Sequence, residues 1–264
     1  MSTHKSAAAP VGVLTKVIAI FDLLDSCPGG LPLRSIAKET RLNKSTTHRF
    51  LSHLEREGYL VRDGGGSYLV GPRLARLGSG SAYQATVCRV SRPILEDLWR
   101  ESGETVNLGV LHGKEVLYLD VLESPQSFRL VSRVGMHRPL HCTGLGKALL
   151  AWQPAEVRNA LLANLPFSRV TSQSIVRMPQ FRAELNRTVV RGYARDDGEA
   201  EPGARCVAAP VLDCSGFVAA GISVSGPAIR MSRTRILPIV RSLREAALRI
   251  SRLLGYTGVM PGRS

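Results

Sequence analysis

Apolar positions in the first quarter of the chain recur at the three- and four-residue spacing of helices. Val17, Ile18, Phe21, Leu23 and Leu24 mark one helix over about Leu14–Ser26, and Leu33, Ile36 and Ala37 mark the inner face of a second. Leu42 falls in the turn that follows, and Asn43 has the side chain of an N-cap. In the third helix Thr47, Phe50, Leu51 and Leu54 share one face, leaving Lys44, Ser45, His48, Arg49 and Ser52 on the other. The period then drops to two. YLVRDGGGSYLVG holds two short alternating runs around Asp63-Gly64-Gly65-Gly66, the pattern of a hairpin whose glycines supply positive φ. Helix, helix, turn, helix and hairpin in that order make a winged helix-turn-helix over 13–72.

Beyond Gly71-Pro72 the pattern becomes helical again over 73–90, weakened by Gly78 and Gly80, as in a connecting helix between domains. Pro93 is placed to start a further helix carrying Ile94, Leu95, Leu98 and Trp99. TVNLGVLH, EVLYLDVLE and SFRLVSRVG then alternate as three strands of a meander. Helices are expected at about 144–152, 154–163 and 179–191, and strands near 193–196, 205–213 and 216–225. A last helix, about 234–254, repeats Ile236, Ile239, Val240, Leu243, Ala247, Ile250 and Leu254 between arginines. Strands interspersed with helix pairs predict an α+β domain on an antiparallel sheet over 91–256. The ends, 1–12 and 257–264, read as tails.

The outer face of the third helix consists wholly of hydrogen-bonding groups, so double-stranded DNA is the first partner to test. Short hydroxyls beside helix N-terminal amides hold phosphate oxygens, and a long Arg and a His reach base edges. Lys44, Ser45, Thr46, His48 and Arg49, with Arg62 on the wing, are the candidate DNA contacts. A solvated amphipathic helix pair gives the same pattern when taken alone. The formal charge of +14 over 264 residues suits a polyanionic partner, but it is not concentrated in the reader. Residues 1–88 hold eleven Lys and Arg against six Asp and Glu, and 229–264 hold eight Arg against Glu245 alone.

With 44% hydrophobic and 21% charged residues the chain is of ordinary globular composition. Its five cysteines are odd in number and contain no C-x-x-C pair, which argues against a disulfide framework or a zinc site and for a reducing cytoplasm. No signal peptide or membrane span is expected.

In the second domain Thr143 is a candidate N-cap, behind which the amides of Gly144, Leu145 and Gly146 would point at a carboxylate. Ser223 and Ser225 fall on one face of a strand and open either to a common cavity or into a satisfied core. Cys206 is more often a small buried filler than a ligand contact. Asp196, Asp197, Glu199 and Glu201 read as a loop of exposed acids. Gly146-Lys147 is no P-loop, since His141 and Ala148 stand where that motif needs Gly and a hydroxyl residue.

With those segments in view the chain resembles the IclR family of bacterial transcriptional regulators over nearly its whole length. The resemblance rests on NKSTTHRFLSHLEREGYL, on Thr143-Gly144-Leu145-Gly146-Lys147-Ala148 as a T-x-x-G-K-A motif, on Asp197 to Gly203, and on A-A-P-V followed by S-V-S-G-P. Gly144 and Leu145 depart from the residues many relatives carry there. The resemblance implies a C-terminal domain related to GAF and PAS sensors. It also implies a small organic or aromatic acid bound by Gly144, Leu145, Asp196, Cys206, Ser223 and Ser225, and a homodimer or homotetramer with Leu74, Leu77 and Val87 as the contact. The expected function is an operator-binding regulator, more often a repressor, that needs no cofactor. A non-specific DNA-compacting protein and a small-molecule enzyme are the rival readings. No nucleophile and base pair supports the enzyme.

Overall fold

The computed structural model describes residues 12–27, 29–77 and 80–259, so most of both expected tails, 1–12 and 257–264, lies outside the described residues. The chain divides after Tyr83 into two compact units.

In the first unit α1 (Gly12–Asp25), β1 (Leu31–Pro32), α2 (Leu33–Glu39), α3 (Lys44–Arg56), β2 (Leu60–Arg62) and β3 (Ser67–Val70) enclose a core of Ile20, Leu24, Ile36, Leu51, Leu54, Leu60 and Tyr68. Of these, the three- and four-residue spacing selects Leu24, Ile36, Leu51 and Leu54; Ile20 was not among the expected positions, and Ile18, which was, is exposed. Leu42 packs against that core, and Arg41 before it takes φ 55°, the left-handed conformation that turns the chain from α2 into α3. β2 and β3 form the expected hairpin, closed by Asp63 Oδ1, which accepts from the amides of Gly65 and Ser67. The two-residue strand β1 was not expected. It adds to the other side of β3 and makes a three-stranded sheet in the order β1-β3-β2.

α4 (Pro72–Leu77) follows the wing, and α5 (Gly80–Ser102) runs without a break through Pro93. This corrects the expectation of one helix ending at Val90 and another starting at Pro93. The apolar stripe of Val87, Ile94, Leu95 and Leu98 packs as one face against the second core, which outweighs the one backbone hydrogen bond that proline removes.

The second unit is a six-stranded antiparallel sheet in the order β6-β5-β4-β9-β8-β7, built from β4 (Thr105–His112), β5 (Glu115–Leu122), β6 (His137–Pro139), β7 (Ala194–Asp197), β8 (Ala204–Leu212) and β9 (Val218–Pro227). Side chains alternate between its faces. Val106, Leu108, Val207, Ala209, Ile222 and Val224 meet α5 and α9 (Arg233–Leu253) in one core. Ala208 and Val116 meet a second, formed with α6 (Gly144–Ala151), α7 (Ala155–Ala163) and α8 (Met178–Arg191). α6 lies so close to the preceding chain that a Cβ on Gly146 would stand 2.2 Å from the Leu140 carbonyl oxygen.

The expected strand over 127–135 does not form; the edge strand is instead β6, paired with β5 through Arg138 and Val116. The segment alternates like a strand, but Phe128, Val131 and Val134 are exposed, with no layer to cover them. Its carbonyls go to side chains: Leu130 O accepts from Thr105 Oγ1 and Phe128 O from Arg230.

Candidate functional site

The reader helix α3 begins at Asn43, whose Oδ1 accepts from the Thr46 amide at 2.8 Å and from the Ser45 hydroxyl at 3.0 Å. This cap leaves the first-turn amides facing outward. Thr47 is fully buried, with its hydroxyl bonded to Asn43 O, and so anchors the inner face. Lys44, Ser45, His48 and Arg49 are exposed and Thr46 is half-buried. Arg49 lies beside the Phe50 ring, 5.8 Å from its centroid. Arg62 is exposed on the wing, where it covers the Tyr68 ring and its Nε donates to Gly66 O.

In the second unit Thr143 caps α6 as its position suggests, its hydroxyl accepting from the Gly146 amide at 3.0 Å. Gly146 N is therefore engaged, and only Gly144 and Leu145 keep free first-turn amides. Gly144, Leu145, Asp196, Cys206 and Ser225 converge on one cavity of about 50 Å³. Ser223 does not line it: it is buried one residue pair further along β9, between Asn107 and Ala208, and its hydroxyl accepts from Asn107 Nδ2 at 3.2 Å. Packing is close around Gly144, where a Cβ would stand 2.8 Å from Cys206 Sγ. Burial pushes the Cys206 thiol up to about 12, which keeps it a neutral, small filler of the wall.

The acidic stretch is not a loop of exposed acids. Asp196 is 4% exposed, and Lys147, inside α6, is fully buried. The Lys147 ammonium donates to Arg195 O at 2.8 Å and pairs with the Glu199 carboxylate. Asp196 Oδ1 accepts from the amides of Glu199 and Ala200, while the hydroxyls of Thr171 and Ser174 hold the carbonyls of Gly198 and Glu199. Burial outweighs these partners. It raises Asp196 to about 6 and, against the pull of Lys147, Glu199 to about 7. Asp197 is shared by Arg195 and Arg205, and Glu201 is exposed at the cavity mouth.

Periodicity alone did not point to three further features. Tyr118 of β5 is buried in the cavity wall, its phenol pushed up by burial. Arg138, on the edge strand before α6, also lines the cavity, and the strandless segment from Leu130 to Met136 forms its lip. Arg138 sits in the HRPLH run that precedes the capped helix, a cation beside a candidate anion site, which is the signal that sequence offered. The proposed contact of Leu74, Leu77 and Val87 is corrected at Val87, which is fully buried in the core of its own unit. The Leu77 side chain lies outside the described residues. Among the described residues no cluster of three His, Cys, Asp or Glu side chains is placed to hold a metal ion. No helix among them is long and apolar enough to cross a membrane.

Residues 13–64 match the family model described as the IclR helix-turn-helix domain, and residues 81–252 match that described as bacterial transcriptional regulator IclR C-terminal. The chain is 36% identical over 243 residues to the HTH-type transcriptional regulator BhcR of Paracoccus denitrificans, covering 91% of this chain and 86% of that protein. It is 30% identical over 256 residues to the transcriptional repressor IclR of Escherichia coli, covering 96% and 93% of the two chains. Among solved structures it is similar to an IclR homolog from Microbacterium hydrocarbonoxydans complexed with 4-hydroxybenzoate, with a TM-score of 0.60 and 27% identity over 91% of this chain and 98% of that one.

Proposed function

The chain belongs to the IclR family of bacterial transcriptional regulators, which are not enzymes, and on that premise we propose that it is a cytoplasmic operator-binding regulator controlled by a small organic or aromatic acid. Residues 13–72 form the DNA-binding domain, and the effector domain, expected from 91, takes in α5 from Gln84, which leaves the link between 73 and 83. Repression is the expected sign of regulation, as in the E. coli repressor it resembles. Lys44, Ser45, Thr46, His48 and Arg49 enter or flank the major groove, and Arg62 contacts the backbone from the wing. One winged helix reads only a few base pairs, so two copies on a pseudo-palindromic site supply useful affinity, as a homodimer or homotetramer.

The observation that carries the effector half is the convergence of Gly144, Leu145, Asp196, Cys206 and Ser225 on one cavity. The 4-hydroxybenzoate in a structural relative supports a ligand of this class. A ring-sized acid needs more room than about 50 Å³, so a ligand of that size requires the cavity lining to yield. The acid acts on DNA binding only through its different affinities for two arrangements of the protein, so the coupling is reciprocal.

Footprinting on DNA flanking the chain's own coding region, with and without a panel of organic acids, tests the reading. The expected result is protection of a discrete operator that one acid shifts or abolishes. Uniform coverage of any DNA would support a compacting protein instead, and a discrete footprint that no acid alters would remove the effector half.

A further inference from the structure

Arg138 stands out in the effector domain because its guanidinium has no hydrogen-bond or ion-pair partner among the described residues, although it is half-buried in a cavity wall. Two other arginines of this unit are fastened. Arg205 is held by Asp197 and by the carbonyls of Ala228 and Met231, and Arg230 by both oxygens of Glu104. Arg138 is also fixed in place, because its backbone pairs with Val116 on β5. It shares the cavity with Asp196, whose Oδ1 is taken by two backbone amides and whose other oxygen is left for a ligand. The charge of Arg138 is felt at Asp196, Tyr118 and Cys142, where it favours the ionised forms.

A small site that offers one guanidinium and one nearly buried carboxyl is complementary to a molecule with an anionic end and a donor end. We propose that Arg138 binds the carboxylate of the effector and Asp196 accepts a hydrogen bond from its hydroxyl, so that the cavity selects hydroxy acids. This rests on the reading of the cavity as the effector site and adds to it a ligand class and an orientation. The carboxylate faces β6 rather than the free amides of Gly144 and Leu145. A simple acid leaves the Asp196 carboxyl buried without its donor, a neutral amide leaves Arg138 unpaired, and a dicarboxylate sets like charges together at Asp196.

Two matched triplets test this by titration calorimetry on the full chain: lactate, propionate and lactamide, and 4-hydroxybenzoate, benzoate and 4-hydroxybenzamide. In at least one triplet the hydroxy acid is expected to bind roughly tenfold or more tightly than both of its partners. Arg138→Leu is expected to erase the preference for acid over amide, and Arg138→Lys to keep part of it, because an ammonium still pairs with a carboxylate but without the bidentate fork. Asp196→Asn is expected to erase the preference for hydroxy acid over simple acid. If Arg138→Leu keeps the full preference for acid over amide, the carboxylate lies on the α6 amides; the inference is then wrong while the effector reading stands. Equal binding of all three members of both triplets, or binding of none, also overturns it. Arg138→Gln serves if Arg138→Leu fails to fold.

Discussion

The outer face of α3 and the wall of the proposed effector cavity are both polar, but they are polar in opposite ways. On α3 Lys44, Ser45, His48 and Arg49 stand in solvent, where their fold-time cost is small and their contact is to be made with another molecule. In the second unit Asp196 of the cavity wall, and Lys147 and Glu199, which do not line it, are largely out of water, and they are held by a network that spans α6, β7 and the turn after it. An exposed polar face can change with little effect on stability. A buried one changes stability and binding together, because a lost partner leaves an unpaired group in a dry interior.

The largest break in that comparison is expected at Lys147. Lys147→Met leaves the Glu199 carboxylate buried without its cation and should cost about 3–5 kcal/mol in urea unfolding. Adding Glu199→Gln should recover much of that loss, and a double substitution no more stable than the single one would show that the pair is not coupled.

The second difference lies in pH. Asp196 is raised from its ordinary 3.8 to about 6, so the folded state binds its proton more tightly than the unfolded state. The contribution is therefore present at the acid end and is lost as pH rises from about 4 through 6. The stability of the Asp196→Asn protein relative to the parent should then improve across that window, by on the order of 2–3 kcal/mol. Parallel stability curves would show that Asp196 titrates normally.

On α3, Arg49→Ala should leave the unfolding midpoint nearly unmoved while weakening operator binding by about 1–3 kcal/mol at each half-site, with random DNA much less affected. Equal losses on both DNAs would make Arg49 a phosphate contact. The smallest effects come from the two serines of β9. Ser225→Ala should weaken effector binding several-fold, whereas Ser223→Ala should cost about 1 kcal/mol of stability through Asn107 and leave effector affinity unchanged. Equal effects of the two on effector binding would return Ser223 to the site.

Most of the reader was legible because each of its features is local. Asn43 as a cap, Leu42 as a plug, the α3 stripe and the glycine turn of the wing all depend on residues within a few positions of one another. The cavity was legible only where a local rule applied, as with Thr143 capping α6, or where family resemblance supplied residues. Strand alternation put Ser223 and Ser225 on one face, but the depth of each depends on which strand lies beside it, and Asn107 is 116 positions away from Ser223. The strand expected over 127–135 failed for a related reason: its alternation is real, but pairing and cover come from other parts of the chain.

By its own pattern, then, the sequence determined the helices, the winged reader, the antiparallel α+β domain and the exposed chemistry of α3, because backbone propensity, capping and one-sided burial act over a few residues. Tertiary structure decided that Pro93 lies within one continuous helix, that Lys147 and Glu199 pair 52 positions apart, that Ser223 falls behind the cavity, and that Arg138 faces it without a partner. Those outcomes depend on desolvation and on partners brought together across the sheet, and neither quantity is a property of any short stretch of chain.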